Sequence, residues 1–478
     1  MVERAKAIGF LESLRDSQSI LRNRLSPDRE EEERMISLKI STLMNGLLCE
    51  DLNENDREKL LEQLVHAEDE YVVFLSKVRR ETPELRYILS PEHIRVEEVQ
   101  QKLLDEKTAL IEYFLGDEQS FMILITKENF SLFLLPSIEE IRESIKPYLK
   151  ILSDPPAGRF KGKLAAHRVY KELVYPAERL LSEEIENLII IPDGILYYLP
   201  FETLIRLMPV ESDEAGFLVS RYRVSYAPSC SSLLLLSEKT VEKEHPKSFL
   251  AFGNPAYTSK RSNKVGSKTS ADILRELYES EGFDFLPLPY SEKEVKKISR
   301  FFPNTKKSIY LKEKAQEESL KRTSLKDYQV IHFACHGFLD EKAPFRSALV
   351  LSLTKGQDED GFLQVREIYN LRLAADLIVL SACQTGRGTL EKGEGVLGLP
   401  RVFFFAGAKS VVSTLWRIGD KPTAQFMQYF YKMLSQGMGK AQSLRLAKMK
   451  MLESKYSHPY YWAAFVLNGE PNSCLKFD

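Results

Sequence analysis

Cysteine is scarce in this chain: five residues in 478, at positions 49, 230, 335, 383 and 474. So odd and dispersed a set excludes a disulfide framework and points to a reducing compartment. Net charge is almost absent too. The 67 basic and 69 acidic side chains leave a formal −2, which removes any general pull toward nucleic acid or a membrane surface. No apolar run approaches the roughly 20 residues that span a bilayer. The N-terminal stretch MVERAKAIGFLESLRDSQ has no apolar core and no small-residue cleavage site, so no secretory leader is expected. The expectation is a cytoplasmic chain of ordinary globular composition, 43% hydrophobic and 28% charged, with about two to four domains.

What is present changes in texture along the chain. Residues 1–95 read as a helical extension. Met35, Ile36, Leu38, Ile40, Leu43 and Leu47, then Leu61, Leu64, Tyr71, Leu75 and Val78, recur at helical spacing on either side of Asn53-Glu54-Asn55-Asp56. That predicts an antiparallel hairpin with one apolar seam. The run DREEEER (28–34) reads as a solvated face, and no 34-residue repeat is found. Within 96–240, ALIEYFL (109–115), FMILIT (121–126) and FSLFLLP (130–136) predict a β-meander. Helices are expected near 138–151 and 160–182, and NLIIIPDG (187–194) predicts a buried strand entering a turn. Polar stretches at 237–270 flank the apolar strand SFLAFGNP (248–255) and mark the main internal break.

From 241 to 478 strands and helices alternate regularly. Helices are expected at 292–302, 316–322, 395–408, 423–434 and 440–452. Strands are expected at 307–311, 328–335, 375–383, 409–416 and 460–469, with SALVLS and GFLQV as a side hairpin. Near-continuous apolar strands alternating with helices predict an α/β fold, a mostly parallel sheet with helices on both faces.

In such a sheet, chemistry gathers beyond the C-terminal strand ends. One predicted strand ends in ACHG, placing His336 at its tip, and another in SACQTG, placing Cys383 at its tip. The 47 residues between them suffice for a crossover between neighbouring strands. A thiol is a poor nucleophile until deprotonated. An adjacent imidazole can take its proton and later return it to a leaving amine. Gly337 allows a sharp turn, and its N–H, with that of Cys383, is the expected oxyanion-hole donor pair. Ala382-Cys383-Gln384 fits the core of the caspase nucleophile signature, with Thr385 inserted before Gly386.

These blocks resemble the CHAT peptidases, caspase-like domains associated with TPR repeats, and more distantly separase. The resemblance is carried by HFACHG (332–337), LSACQTG (380–386), GEGVLGLPRVFFFAGAKSVVSTLW (393–416), HPYYWAAFVLNG (458–469) and IPDGILYYLPFETL (191–204). It covers about 95–478. It implies a pseudo-caspase half at 96–240, an active half at 241–478, and His336 and Cys383 as the catalytic dyad. It also implies a short family member or part of a longer chain, since the repeats are absent here. Separase-like enzymes cut after Arg by means of an acidic residue near a Leu-Trp block. Leu415-Trp416 is followed by Asp420, which becomes the candidate S1 residue; the alternative is a cap for a helix beginning near Pro422-Thr423.

No metal or cofactor is expected. Strand alternation would place His332 and His336 on one face and Cys335 on the other, so the three cannot converge on an ion. The glycines at 393, 395 and 398 do not directly follow a strand, as a dinucleotide fingerprint would. The resulting expectation is a cysteine endopeptidase acting on a protein substrate. The resemblance adds a regulatory, TPR-containing or CRISPR effector partner and a role in prokaryotic antiviral defence. A catalytically idle scaffold is the alternative, and a latent enzyme that nicks its own basic loop at 259–268 lies between them.

Overall fold

The computed structural model describes residues 94–477 apart from 208–215, 239–244, 258–274, 276–277, 280–284, 339–346, 354–358 and 382–394, with scattered positions between 28 and 74. The chain divides into two compact units, Met1–Ile94 and Arg95–Asp478. In the first, each described position is helical, and Lys39 pairs with Glu70 at 2.8 Å. Most of the expected apolar seam lies outside the described residues. Met35, assigned to it from sequence, is 56% exposed.

The second unit opens with α1 (Val96–Lys102) and the meander β1 (Thr108–Phe114), β2 (Ser120–Ile125) and β3 (Phe130–Leu135). Then come α2 (Ile138–Ser153), α3 (Lys163–Leu173), β4 (Asn187–Ile191), β5 (Ile205–Leu207), β6 (Gly216–Phe217), β7 (Arg223–Tyr226) and α4 (Cys230–Glu238). The chain continues through β8 (Lys247–Gly253), α5 (Pro289–Ile298), β9 (Lys307–Leu311), β10 (Tyr328–Ala334), β11 (His336–Phe338), β12 (Ala348–Val350), β13 (Phe362–Gln364) and β14 (Leu377–Ser381). It closes with α6 (Gly395–Ala406), β15 (Ser410–Thr414), α7 (Asp420–Ser435), α8 (Lys440–Leu452) and β16 (Phe465–Gly469).

One sheet of 11 strands runs β3-β2-β1-β4-β7-β16-β15-β14-β10-β8-β9. Strands from 96–240 fill one side and strands from 241–478 the other, meeting where β7 lies parallel to β16. The sheet is mostly parallel. Its antiparallel pairs are the meander and β15–β16. The last pair follows from connectivity. A single crossover helix carries the chain back to the end where the strand began, whereas the two helices α7 and α8 return it to the end it left.

Alternation along the strands feeds two layers. Val330 of β10, Val379 of β14 and Val412 of β15 join one core with Val295 of α5 and Phe426 of α7. Their neighbours Phe333, Ile378 and Val411, also buried, turn to the other face, where Phe333 meets Phe403 of α6 with ring centroids 5.8 Å apart. At the end of β10 the chain leaves this sheet. After Cys335 it enters a separate three-stranded sheet, β11-β12-β13, backed by Tyr257, Tyr278, Leu288 and Phe338. The predicted side hairpin is thus β12–β13, with β11 added. No helix of the described residues is long and apolar enough to cross a membrane.

Candidate active site

β10 and β14 are parallel neighbours, and their last paired residues are Ala334 and Ser381. His336 and Cys383 each follow two positions later. Cys383 itself, with its N–H, lies outside the described residues, as does the basic loop at 259–268. Two residues reach at most about 7 Å and paired strands sit about 4.8 Å apart. The register therefore brings the two strand ends level, each two residues short of His336 or Cys383 in sequence.

His336 is 1% exposed. Its Nε2–H donates to the carbonyl oxygen of Leu286 at 2.7 Å. A carbonyl only accepts, so this bond fixes the tautomer and leaves Nδ1 with the basic lone pair. The ring lies against that of Tyr257, centroids 4.8 Å apart, and the His336 backbone N–H donates to Tyr257 Oη at 3.0 Å. Burial holds the imidazole down at about 4, helped by the charge of Arg417 and opposed by the Leu286 carbonyl. At neutral pH the ring is uncharged.

Gly337 lies within β11, opposite Leu349. The sharp turn expected there falls one residue before the histidine, at Cys335, and Gly337 is extended strand. The hydrogen-bonding pattern nevertheless frees its amide from β12. Leu351 donates to Gly361, and Val365 donates to Ser347, so odd-numbered residues of β12 face β13 and even-numbered ones face β11. His336 and Phe338 are the residues opposite those even positions. Alternation then turns the Gly337 N–H to the other edge.

Asp420 is the first residue of α7, whose N-cap is Gly419. It caps a helix, but not the one expected: its Oδ2 accepts from the backbone N–H of Tyr290 at 2.6 Å, at the start of α5, and the N–H of Ser291 contributes as well. Oδ1 is buried, with no hydrogen-bond partner among the described residues. Burial pushes the carboxyl up to about 6 against those N–H donors, with the charge of Glu294 adding to the rise.

Beneath the strand ends is a polar group that the sequence reading did not find. Glu294 of α5 is 0% exposed. Its Oε1 accepts from His332 Nε2–H at 2.8 Å and from Ser381 Oγ–H at 2.6 Å. Tyr431 Oη lies 3.1 Å from His332 Nδ1. A signal existed: Ser291, Glu294, Val295 and Ile298 form the buried stripe of α5, the i, i+3, i+4, i+7 pattern of a core-facing face. Tyr257, outside any helix or strand, and Leu286, acting through its backbone, carry no such mark.

His332 is therefore engaged with Glu294 and Tyr431, away from Cys335. The strand break at Cys335 also ends the alternation that had placed His332 and His336 on one face. Among the described residues, Glu317, Glu359 and Glu367 are close enough together to hold an ion, but the ammonium of Lys321 already lies within 2.8 Å of all three.

The family model for the CHAT domain matches residues 163–470. Tetratricopeptide repeat protein 28 is similar as well: the mouse protein is 36% identical over 109 residues and the human protein 27% identical over 327. These matches cover 22% and 59% of this chain but only 4% and 12% of the relatives' own lengths. Among solved structures, Saccharomyces cerevisiae separase in complex with securin has a TM-score of 0.40 at 14% identity, covering 93% of this chain and 28% of that one. The Arg-specific cysteine proteinase gingipain R has a TM-score of 0.38 at 8% identity, covering 78% and 79%.

Proposed function

The chain belongs to the CHAT domain family, and from that premise we propose that it is a caspase-like cysteine endopeptidase with Cys383 as nucleophile and His336 as its acid/base partner. The observation that carries this is the register. Ala334 and Ser381 pair, and the imidazole and thiol residues stand equally far beyond them.

The neutral His336 suits a general base better than a preformed ion pair. In the proposed cycle its Nδ1 takes the Cys383 proton as Sγ attacks the scissile carbonyl carbon. The negative oxygen is held by the N–H groups of Gly337 and Cys383, each such donor being worth about 10²–10³ in rate. Collapse breaks the C–N bond, and the amine leaves with the proton from Nδ1. Water then attacks the thioester with His336 again as base, releasing the acid and the thiol.

Asp420 is the proposed reader of a basic P1 side chain. Its buried Oδ1, without a hydrogen-bond partner among the described residues, and its charge acting on Tyr257, the residue packed on His336, support that role. The substrate is then a protein segment with an exposed Arg or Lys. The family resemblance extends the proposal to regulated proteolysis in the cytoplasm, with a TPR-containing or CRISPR effector protein as the switching partner. The test is cleavage of a peptide library by wild type and Cys383→Ala. Cleavage with a basic P1 that disappears in the variant supports the assignment; undiminished cleavage by Cys383→Ala sinks it.

A further inference from the structure

We infer that Glu294 is a positioning residue for this dyad, its single buried carboxylate clamping the strand that leads to Cys383 onto the strand that leads to His336. The inference rests on the peptidase reading above. Ser381 is the last residue of β14 and stands two positions before Cys383; His332 stands four before His336. Both donate to the same oxygen, Oε1. Neighbouring positions on these strands, Val330 and Val379, are apolar and fill the core, so packing alone asks for no polar group here. A carboxylate buried among them is costly unless hydrogen-bonded, and both Oε1 bonds run to the two strands of the dyad.

The group is held from behind as well. Tyr431 of α7 supports His332, and Phe249 of β8 packs edge-on against Tyr431, centroids 5.9 Å apart. One turn earlier on α5, the N–H of Tyr290 holds Asp420. A single helix thus anchors the proposed P1 reader at its start and the strand ends of the dyad on its buried stripe. A misplacement of about 1 Å between reacting groups can cost about 100-fold in rate. Glu294 touches neither substrate nor reacting atoms, so its effect should fall on turnover and not on substrate affinity.

The test compares the 478-residue wild type with Glu294→Leu, Glu294→Gln, Ser381→Ala and His336→Ala. The readouts are the melting temperature, iodoacetamide alkylation of Cys383 measured by peptide mass spectrometry with the exposed Cys474 as internal reference, and kcat and KM on an Arg-P1 peptide. Glu294→Leu, which removes the acceptor, should lose about 10- to 100-fold in Cys383 alkylation and kcat, with KM and Cys474 alkylation within about twofold. Glu294→Gln, whose amide oxygen can still accept from both strands, should recover most of that loss, and Ser381→Ala should show a smaller loss of the same kind. An unchanged Cys383 rate in folded Glu294→Leu overturns the inference; if that variant does not fold, an unchanged rate in Ser381→Ala does so. If His336→Ala also leaves the Cys383 rate unchanged, the peptidase reading itself fails, which separates the two.

Discussion

The Nε2 of His336 donates to the backbone oxygen of Leu286, 2.7 Å away, although the Leu286 side chain is 51% exposed. The residue that orients the base therefore works through its main chain, and substitutions of the Leu286 side chain should leave the tautomer intact. Leu286→Ala should keep kcat on an Arg-P1 peptide within about threefold of wild type. A loss of turnover matching that of His336→Ala would contradict this.

Burial of His336 also sets a pH window. Its folded value is lowered to about 4 from 6.5, so between those values the unfolded chain binds more protons than the native one. Stability linked to this group is full above about 6.5 and is lost as pH falls through about 4, a change of about 3 kcal/mol. His336→Asn lacks that linkage. Denaturant titrations should show the gap between wild type and this variant shifting by about 3 kcal/mol against wild type from pH 7 to pH 4. The acid limb of kcat/KM for an uncharged P1 substrate should likewise lie near pH 4.

For a basic P1 substrate the limiting group changes. Asp420 is raised to about 6 by burial, so it loses its charge as pH falls through about 6. kcat/KM for Arg-P1 peptides should fall there, while uncharged P1 peptides stay level. Asn can still accept the Tyr290 N–H, so Asp420→Asn should keep its melting temperature yet lose about 10- to 100-fold on Arg-P1 peptides. Equal losses on both peptide classes would assign Asp420 to helix capping alone.

Tyr257→Phe removes the hydroxyl that receives the His336 N–H and that donates to the Val350 oxygen at 3.3 Å. A buried N–H left without its acceptor costs about 1–3 kcal/mol, which chemical denaturation would read directly. Unchanged stability would show that the amide has another acceptor.

Much of this was legible because fully buried strands are nearly continuous in apolar residues. β14 (Leu377–Ser381) and β15 (Ser410–Thr414), buried at every position, lie within the apolar runs that predict them. The strand tipped by His336 was read one residue too far, since nothing apolar marks the bend at Cys335. β7, reading Arg-Val-Ser-Tyr, was missed because its polar residues hide a strand buried between β4 and β16. At the site, the candidate dyad His336 and Cys383 is marked by residue type and by its place after apolar strand runs. Glu294 is not, because Glu292, Lys293, Lys296 and Lys297 around it make it look like part of a solvated helix face, and its burial is visible only at helical spacing.

Lys321 provides a separate check on the small sheet. Its ammonium is shared by Glu317, Glu359 and Glu367, and Glu317, pushed up to about 8 by burial, accepts the Gly361 N–H at 2.9 Å, just before β13. Lys321→Met should destabilise by about 1–2 kcal/mol at pH 8, the ammonium being partly exposed. Protonation of Glu317 should shrink the loss at pH 5, as thermal melts at the two values would show.

The chain changes sheets at Cys335. His336 begins the three-stranded sheet, whereas Cys383 follows β14 of the large one. In the proposed dyad, base and nucleophile are therefore carried by different sheets of one compact unit. On the proposed reading, a molecule bound along β12 or β13 would bear on the imidazole through the small sheet while the large sheet stays as it is.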